Sequence, residues 1–412
     1  MRQTALETLE VHLAIETSQR GTFATTKLLY EKLRARGHEV SLWTTFPSEF
    51  NVLPMPRVVK PLSYEISVNL PSYAKAVLDF MKPGKDSIVH AMNAMHELVY
   101  VSRRLGLKST ITIHYPWPIC YFTAYGYGTC GCTSRYLEAL RCIASKRKGA
   151  RRALSPAEAA YWIIKRKWIR RNLLSSCAIL AVSKSTKELL VTFGYPAEKI
   201  RVVYINGLMP KIPEYSNYEP SDAFTYAFMG YPEEGKGVFQ LLRAFALALK
   251  QNPKLRLKIY GGLANPDVAK YVRELGLGNH VQLTAWEPSF ERHLELLKEK
   301  LRDVDVVVAP SIFFETWNRV VTEVMFSGRP VIVSKGNGGL VEQVEDGVTG
   351  FHVNVYNVNE FAQELVRISM IPREELRKMG LRAREEALKR WGDQNKIVSE
   401  LETFYKAVLT NC

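Results

Sequence analysis

The chain has 412 residues, 47% of them apolar, and a formal net charge of +15. That length supports two domains with ordinary cores, and no apolar run is long enough for a membrane-crossing helix. The opening MRQTALETLE lacks an apolar signal core, so a cytoplasmic protein is the expectation, with a peripheral place on a membrane left open by its excess basic charge.

Residues 11–15 read as a buried first strand, followed by a loop carrying Gly21 and a helix over 25–36 that Gly37 ends. Further strands are expected at 40–44, 87–90, 110–114, 179–183 and 200–204, alternating with helical stretches. The segment 210–221 carries Pro210, Pro213 and Pro220 among polar residues and reads as a linker. A second series follows, with strands at 224–229, 256–260, 280–283, 304–309, 330–334 and 350–353, and helices over 238–250, 318–328 and 394–409. Two successive βα series predict an α/β chain of two Rossmann-like, doubly wound domains facing a cleft.

The chemistry concentrates in the second series. The apolar run 304–309 ends at Pro310, an aromatic loop spans 311–317, and a helix and a glycine loop (336–339) follow. Glu315 falls in the aromatic loop and Glu323 on the helix behind it. Carboxylates only accept hydrogen bonds, so they suit the hydroxyls of a sugar and a ribose. The backbone N–H groups of Thr316, Trp317, Asn318, Arg319 and Val320 open the helix and suit a diphosphate. Upstream, Gly230-Tyr231-Pro232-Glu233-Glu234-Gly235-Lys236-Gly237 has the spacing of a P-loop. Gly237, however, stands where that motif needs a Ser or Thr for magnesium, which argues against a nucleoside triphosphatase.

At these residues the chain resembles the retaining GT-B glycosyltransferases of the glycogen-synthase-like, family-4 type. The resemblance rests on Glu315 and Glu323 with seven residues between them, on Ser327-Gly328-Arg329-Pro330-Val331-Ile332, on Gly338-Gly339-Leu340-Val341-Glu342 and on Asp346-Gly347-Val348-Thr349-Gly350-Phe351. It implies an N-terminal acceptor-binding domain (1–212), a C-terminal nucleotide-sugar-binding domain (213–393), and a last helix (394–412) that returns to the first. It also implies transfer of a hexose from a nucleotide-sugar to a glycan or lipid-linked acceptor with retention. Nucleotide-sugar is then a co-substrate, and no cofactor or catalytic metal is required. By the same resemblance Glu315 and His114, at the end of the strand 110–114, would face the transferred sugar. Lys236 would grip the diphosphate, Glu323 would hold the ribose, and Gly21 would let the backbone approach the ligands. Two positions depart from the family: Asn318 stands where Gly is usual, and Tyr231 where an Arg helps hold the diphosphate. Arg319 or Arg329 is the expected substitute. The alternatives are a nucleotide-sugar epimerase of the same fold or a basic nucleic-acid-binding protein. The latter explains the charge but not the two glutamates.

Two features fall outside that unit. Cys120, Cys130, Cys132 and Cys142 cluster within an insertion at about 118–174, while Cys177 and Cys412 stand apart, Cys177 reading as core. A structural zinc site, disulfides and simple thiols all stay open for the cluster, because its spacing matches no zinc motif. Between 146 and 171 lie ten basic residues: Lys146, Arg147, Lys148, Arg151, Arg152, Lys165, Arg166, Lys167, Arg170 and Arg171. They are interleaved with Tyr161, Trp162 and Trp168 on a helix expected over 161–174. An anionic membrane surface, nucleic acid and a solvated basic face are the readings left open, nucleic acid being the least expected partner.

Overall fold

The computed structural model describes residues 8–16, 20–54, 69–121, 135–147, 149–287, 289–410 and 412. It divides into two compact units, the second being Pro210–Asp393; the described residues before it, together with Gln394–Cys412, form the first.

In the first unit seven parallel strands lie in the order β3-β2-β1-β4-β5-β6-β7. They are β1 (Glu10–Ile15), β2 (Glu39–Thr44), β3 (Asn51–Val52), β4 (Ile88–Ala91), β5 (Lys108–Ile113), β6 (Ala178–Ala181) and β7 (Ile200–Val202). Their continuous apolar runs follow from burial on both faces; in β1 every residue but Glu10 is buried. The helices α1 (Arg20–Ala35), α2 (Pro71–Met81), α3 (His96–Arg104), α4 (Tyr136–Lys146), α5 (Ser155–Ser175) and α6 (Lys184–Thr192) supply the crossovers.

The first helix starts five residues earlier than the sequence predicts, so Gly21 sits in its first turn rather than in a loop. The Thr25 and Thr26 hydroxyls donate to the carbonyls of Gly21 and Thr22, four residues back. This lets polar β-branched residues remain inside a helix. The final helix of the chain, Gln394–Thr410, packs on β4, β5 and α1. Arg36 Nε and His38 meet its Glu402 at 2.7 and 2.8 Å, and its Tyr405 hydroxyl lies 2.8 Å from His90. Cys177, expected in the core, is only partly buried and forms a disulfide with Cys412, 235 residues away.

The second unit repeats the plan with six parallel strands in the order β10-β9-β8-β11-β12-β13. They are β8 (Phe224–Met229), β9 (Leu255–Tyr260), β10 (Val281–Leu283), β11 (Val306–Ala309), β12 (Val331–Ser334) and β13 (Gly350–Val353). The helices are α7 (Val238–Leu249), α8 (Pro266–Glu274), α9 (Phe290–Glu295), α10 (Leu297–Lys300), α11 (Arg319–Phe326), α12 (Gly338–Gln343), α13 (Val358–Ser369) and α14 (Arg373–Ala387), which makes Gln394–Thr410 α15. The expected glycine loop is therefore partly helix, with Gly338 and Gly339 as its first turn. Each sheet reverses its winding once, between β1 and β4 and between β8 and β11. At such switch points, beyond the carboxyl ends of the strands, doubly wound sheets bind ligands.

The basic helix α5 differs from its expectation. Trp162 is 1% exposed inside the core, and Lys165 is buried rather than facing out. The Trp168 indole donates to the buried Glu97 carboxylate at 2.7 Å. Arg166 lies over the Phe193 ring, Arg170 over Tyr195 and Arg171 over Tyr100, and Arg147 pairs with Glu158. Much of this charge is therefore met within the unit.

Candidate functional site

The site is built where the second sheet switches direction. β8 ends at Met229 and leads through Gly230 into the turn Glu234–Lys236; β11 ends at Ala309 and leads into the loop that carries Glu315. The two loops bring together residues 79 apart: Lys236 Nζ lies 2.7 Å from Glu315 Oε1 and 4.7 Å from the centre of the Phe313 ring. The same oxygen accepts from Ser311 Oγ at 2.6 Å and from Asn318 Nδ2 at 3.2 Å. Glu315 is 4% exposed, and its other oxygen has no hydrogen-bond partner among the described residues. A carboxylate held by three donors on one side presents its second oxygen in a fixed direction, which is what recognition of a hydroxyl requires.

The loop is fixed from behind. Asn337, which the sequence reading passed over, donates to the carbonyls of Ser311 and Phe313 and accepts from the Glu315 N–H at 2.9 Å. Gly339 N–H donates to the Glu315 carbonyl at 2.6 Å. A Cβ on Gly338 would lie 2.5 Å from that carbonyl, and one on Gly339 would run into the Thr316 carbonyl. The paired glycines thus permit backbone-to-backbone contact between α12 and the Glu315 loop. Gly237, with φ +75°, packs as closely against the Pro310 carbonyl.

Asn318 has a different part from the one expected. Its backbone N–H is taken by the Gln343 side chain at 3.0 Å, which leaves it unavailable to an anion. Its side chain caps α11 by accepting from Val321 N–H and donates to Glu315. Where the resembled family has glycine, this chain has a cap and an extra hold on the carboxylate. Thr316 and Trp317 are buried, and the Trp317 ring meets Trp391 edge-on at 5.0 Å, so its contribution to a ligand is confined to its backbone. Val320 lies in the first turn of α11.

Glu323, 2% exposed, faces another cluster. Its Oε2 lies 3.0 Å from His293 Nε2. The Arg319 guanidinium sits 4.4 Å from the Phe290 ring centre, and burial lowers its pKa to about 10, so it remains a cation at neutral pH. Of the two arginines expected to replace the family's diphosphate-binding one, Arg329 is excluded. It is 2% exposed and spends its donors on the carbonyls of Leu301, Gly328 and Ser216, locking the linker. Tyr231 is 49% exposed and meets Trp286 edge-on at 6.0 Å, giving the site an aromatic rim in place of a charge.

The first unit has its own cluster at its switch point. Glu16, just past β1, accepts from Asn93 Nδ2 at 2.8 Å and from Ala94 N–H at 3.0 Å, just past β4. Tyr115 joins Asn93 to Thr22 through its hydroxyl. Sequence reasoning missed Glu16 and Asn93 because no motif marks them; only the sheet order makes them neighbours. His114 is buried at the end of β5. His90 is fully buried, bonded to Tyr405 and Thr112, and pushed down to about 3 by loss of solvent and then by His114. His96 is likewise lowered to about 3, by burial and then by Lys165 and Arg171, and stacks on Trp117. Both are neutral core histidines.

Cys120 and Cys142 are buried, while Cys130 and Cys132 lie outside the described residues, as does Lys148. Among the described residues no group of three metal-ligating side chains is assembled. No helix among them is long and apolar enough to cross a membrane.

Residues 215–386 match the family model "Glycosyl transferases group 1", and residues 20–205 match "Glycosyltransferase Family 4". An uncharacterized glycosyltransferase of Methanocaldococcus jannaschii is 30% identical over 210 residues, 47% of this chain and 51% of the relative. A D-inositol 3-phosphate glycosyltransferase of Nocardia farcinica is 29% identical over 222 residues, 49% of this chain and 46% of that protein. The chain thus spans about half the length of these curated relatives. Among solved structures, a glycosyltransferase from Rickettsia africae superposes with a TM-score of 0.67 at 17% identity, covering 98% of this chain and all of that one. Anabaena HepE in complex with UDP and glucose gives 0.65 at 17% identity, covering 97% of this chain and all of the other. Each half of the chain thus matches a glycosyltransferase model, and the two Rossmann-like units share the GT-B fold of these solved glycosyltransferases across nearly the whole length.

Proposed function

We propose that the protein transfers a hexose from a nucleotide-sugar to an acceptor hydroxyl with retention of configuration. The donor binds the second unit and the acceptor the first. The observation that carries the reading is the meeting of Lys236 and Glu315 at the switch point of the second sheet. A diphosphate arriving there competes with Glu315 for the Lys236 cation, and charge growing on the leaving phosphate is stabilised by that ammonium and by the α11 amides. Glu315, released from Lys236 but still held by Ser311 and Asn318, accepts from a sugar hydroxyl. Glu323 accepts from the ribose. On the first unit, His114 at the end of β5 and Gly21 in the first turn of α1 are the residues the family resemblance assigns to sugar binding. No step calls on a metal. The Glu16–Asn93–Tyr115 cluster offers hydroxyl-binding groups for the acceptor, a glycan or a lipid-linked sugar.

We infer in addition that the protein works on the cytoplasmic side of an anionic membrane. Arg151, Arg152 and Lys167 are exposed, and Leu154 and Ile164 are 57% and 69% exposed. They supply charge and apolar contact; the tryptophans do not.

The test is a thermal-shift screen against UDP-, GDP- and ADP-sugars. A donor present at a hundred times its dissociation constant adds about 2.7 kcal/mol of stability, and one of the three should raise the melting temperature by several degrees. No shift with any of them would overturn the reading.

A further inference from the structure

The group that orients Glu323 is not part of the two-glutamate motif. α9 and α10 bring His293 and Lys300 to the back of the carboxylate. His293 Nε2 lies 3.0 Å from Glu323 Oε2, and Lys300 Nζ lies 3.3 Å from His293 Nδ1. The chemistry of the three groups fixes the proton positions. An ammonium only donates, so His293 Nδ1 accepts from Lys300. A neutral imidazole accepting at Nδ1 carries its proton on Nε2 and donates it to Glu323. One carboxylate oxygen is thereby committed, and the other has no partner among the described residues.

The ring is held as well as bonded. Phe290 stacks on His293 with 19° between the planes and centroids 6.4 Å apart, and the Arg319 guanidinium sits over the same Phe290 ring. The His293 side chain is 19% exposed and that of Glu323 3%. The histidine therefore covers one oxygen of a nearly buried carboxylate.

We propose that Lys300, His293 and Glu323 form a positioning relay that sets the ribose specificity of the donor site. His293 is a positioning residue: it fixes one oxygen of Glu323, so that the other meets a ribose hydroxyl in a single orientation. This rests on the reading that Glu323 binds the ribose. A site built to accept from a hydroxyl rejects an analogue that lacks it, because its own polar group is then left unpaired. Loss of the relay lets the carboxylate rotate and weakens the discrimination without removing the carboxylate.

The experiment is calorimetric titration of the full chain with UDP, GDP and ADP, followed by the 2′-deoxy and 3′-deoxy forms of whichever binds best. Wild type should prefer the ribonucleotide over at least one deoxy form by about tenfold or more. His293→Ala should reduce that preference about tenfold by weakening the ribonucleotide, with the deoxy form bound as before. His293→Gln, which restores an N–H donor, should recover most of it. Equal weakening of both forms in His293→Ala, at an unchanged melting temperature, would mark a merely structural role and overturn the relay. A preference unchanged in His293→Ala would do the same. Glu323→Ala separates the two ideas. If it abolishes the preference while His293→Ala does not, the relay alone fails. If it leaves the preference intact, Glu323 does not meet the ribose and the underlying reading fails too. Absence of binding by all three diphosphates would overturn both.

Discussion

In the proposed reaction Glu315 is assigned its role because its two oxygens are unequal. One is held by Lys236, Ser311 and Asn318, and the other is left for a ligand. A group of this kind acts where charge and orientation change along the reaction. Glu315→Gln should therefore lower turnover by about 10²–10³ while changing the donor's dissociation constant only a few-fold. Steady-state kinetics beside donor titration would show it; loss of affinity with normal turnover would move Glu315 out of the reaction centre. Both glutamates and Lys236 were legible from the sequence, because each lies beside a strand end, a glycine or a helix start that leaves a mark. Asn337, Gln343 and His293 were not. Their partners are 22, 25 and 30 residues away, and only the packed fold brings them to Glu315, Asn318 and Glu323.

Each expected strand lies within two residues of an observed one at both ends, since continuous β-branched runs bounded by Gly and Pro admit few other readings, while the two-residue β3 was not expected. Helix starts were harder to read. α1 begins at Arg20, and its Thr25 and Thr26 hydroxyls bond back to the Gly21 and Thr22 carbonyls, an arrangement that composition does not reveal. α5 misled for another reason. Its basic residues read as an outer face, yet Lys165 is buried, and Arg166, Arg170 and Arg171 lie on aromatic rings of neighbouring elements. The glycines of α12 were legible as a motif, but the reason for them was not: the carbonyls of Glu315 and Thr316 fill the space a side chain would need. Gly339→Ala should cost roughly 1–3 kcal/mol through forced backbone movement, read as a lower denaturant midpoint. It should also lower activity more than stability alone explains. Wild-type stability in Gly339→Ala would contradict the close approach.

Over the whole molecule, two buried histidines make stability sensitive to acid. His90 and His96 are neutral in the fold, with values lowered from 6.5 to about 3. In the unfolded chain they take up protons from pH 6.5 downward, so the unfolded state binds more protons and stability falls between pH 6.5 and about 3. The buried Glu97 carboxyl, raised chiefly by burial, works in the opposite sense above its ordinary value. Two strongly shifted histidines outweigh it. Urea unfolding across that range should show the loss; a flat profile would mean that the histidines titrate normally in the fold.

On the surface, Arg151→Gln, Arg152→Gln and Lys167→Gln together should reduce co-sedimentation with vesicles containing anionic lipid. Binding that is equal on neutral and anionic vesicles would remove the membrane from the account.

The central claim is that the second unit binds a nucleotide-sugar through Glu323 and Lys236. It is tested most directly by calorimetric titration of the donor found in the screen into wild type, Glu323→Ala and Lys236→Ala. The account predicts one site per chain and affinity at least tenfold weaker in each variant, with melting temperatures within a few degrees of wild type. Wild-type affinity in both variants would contradict it.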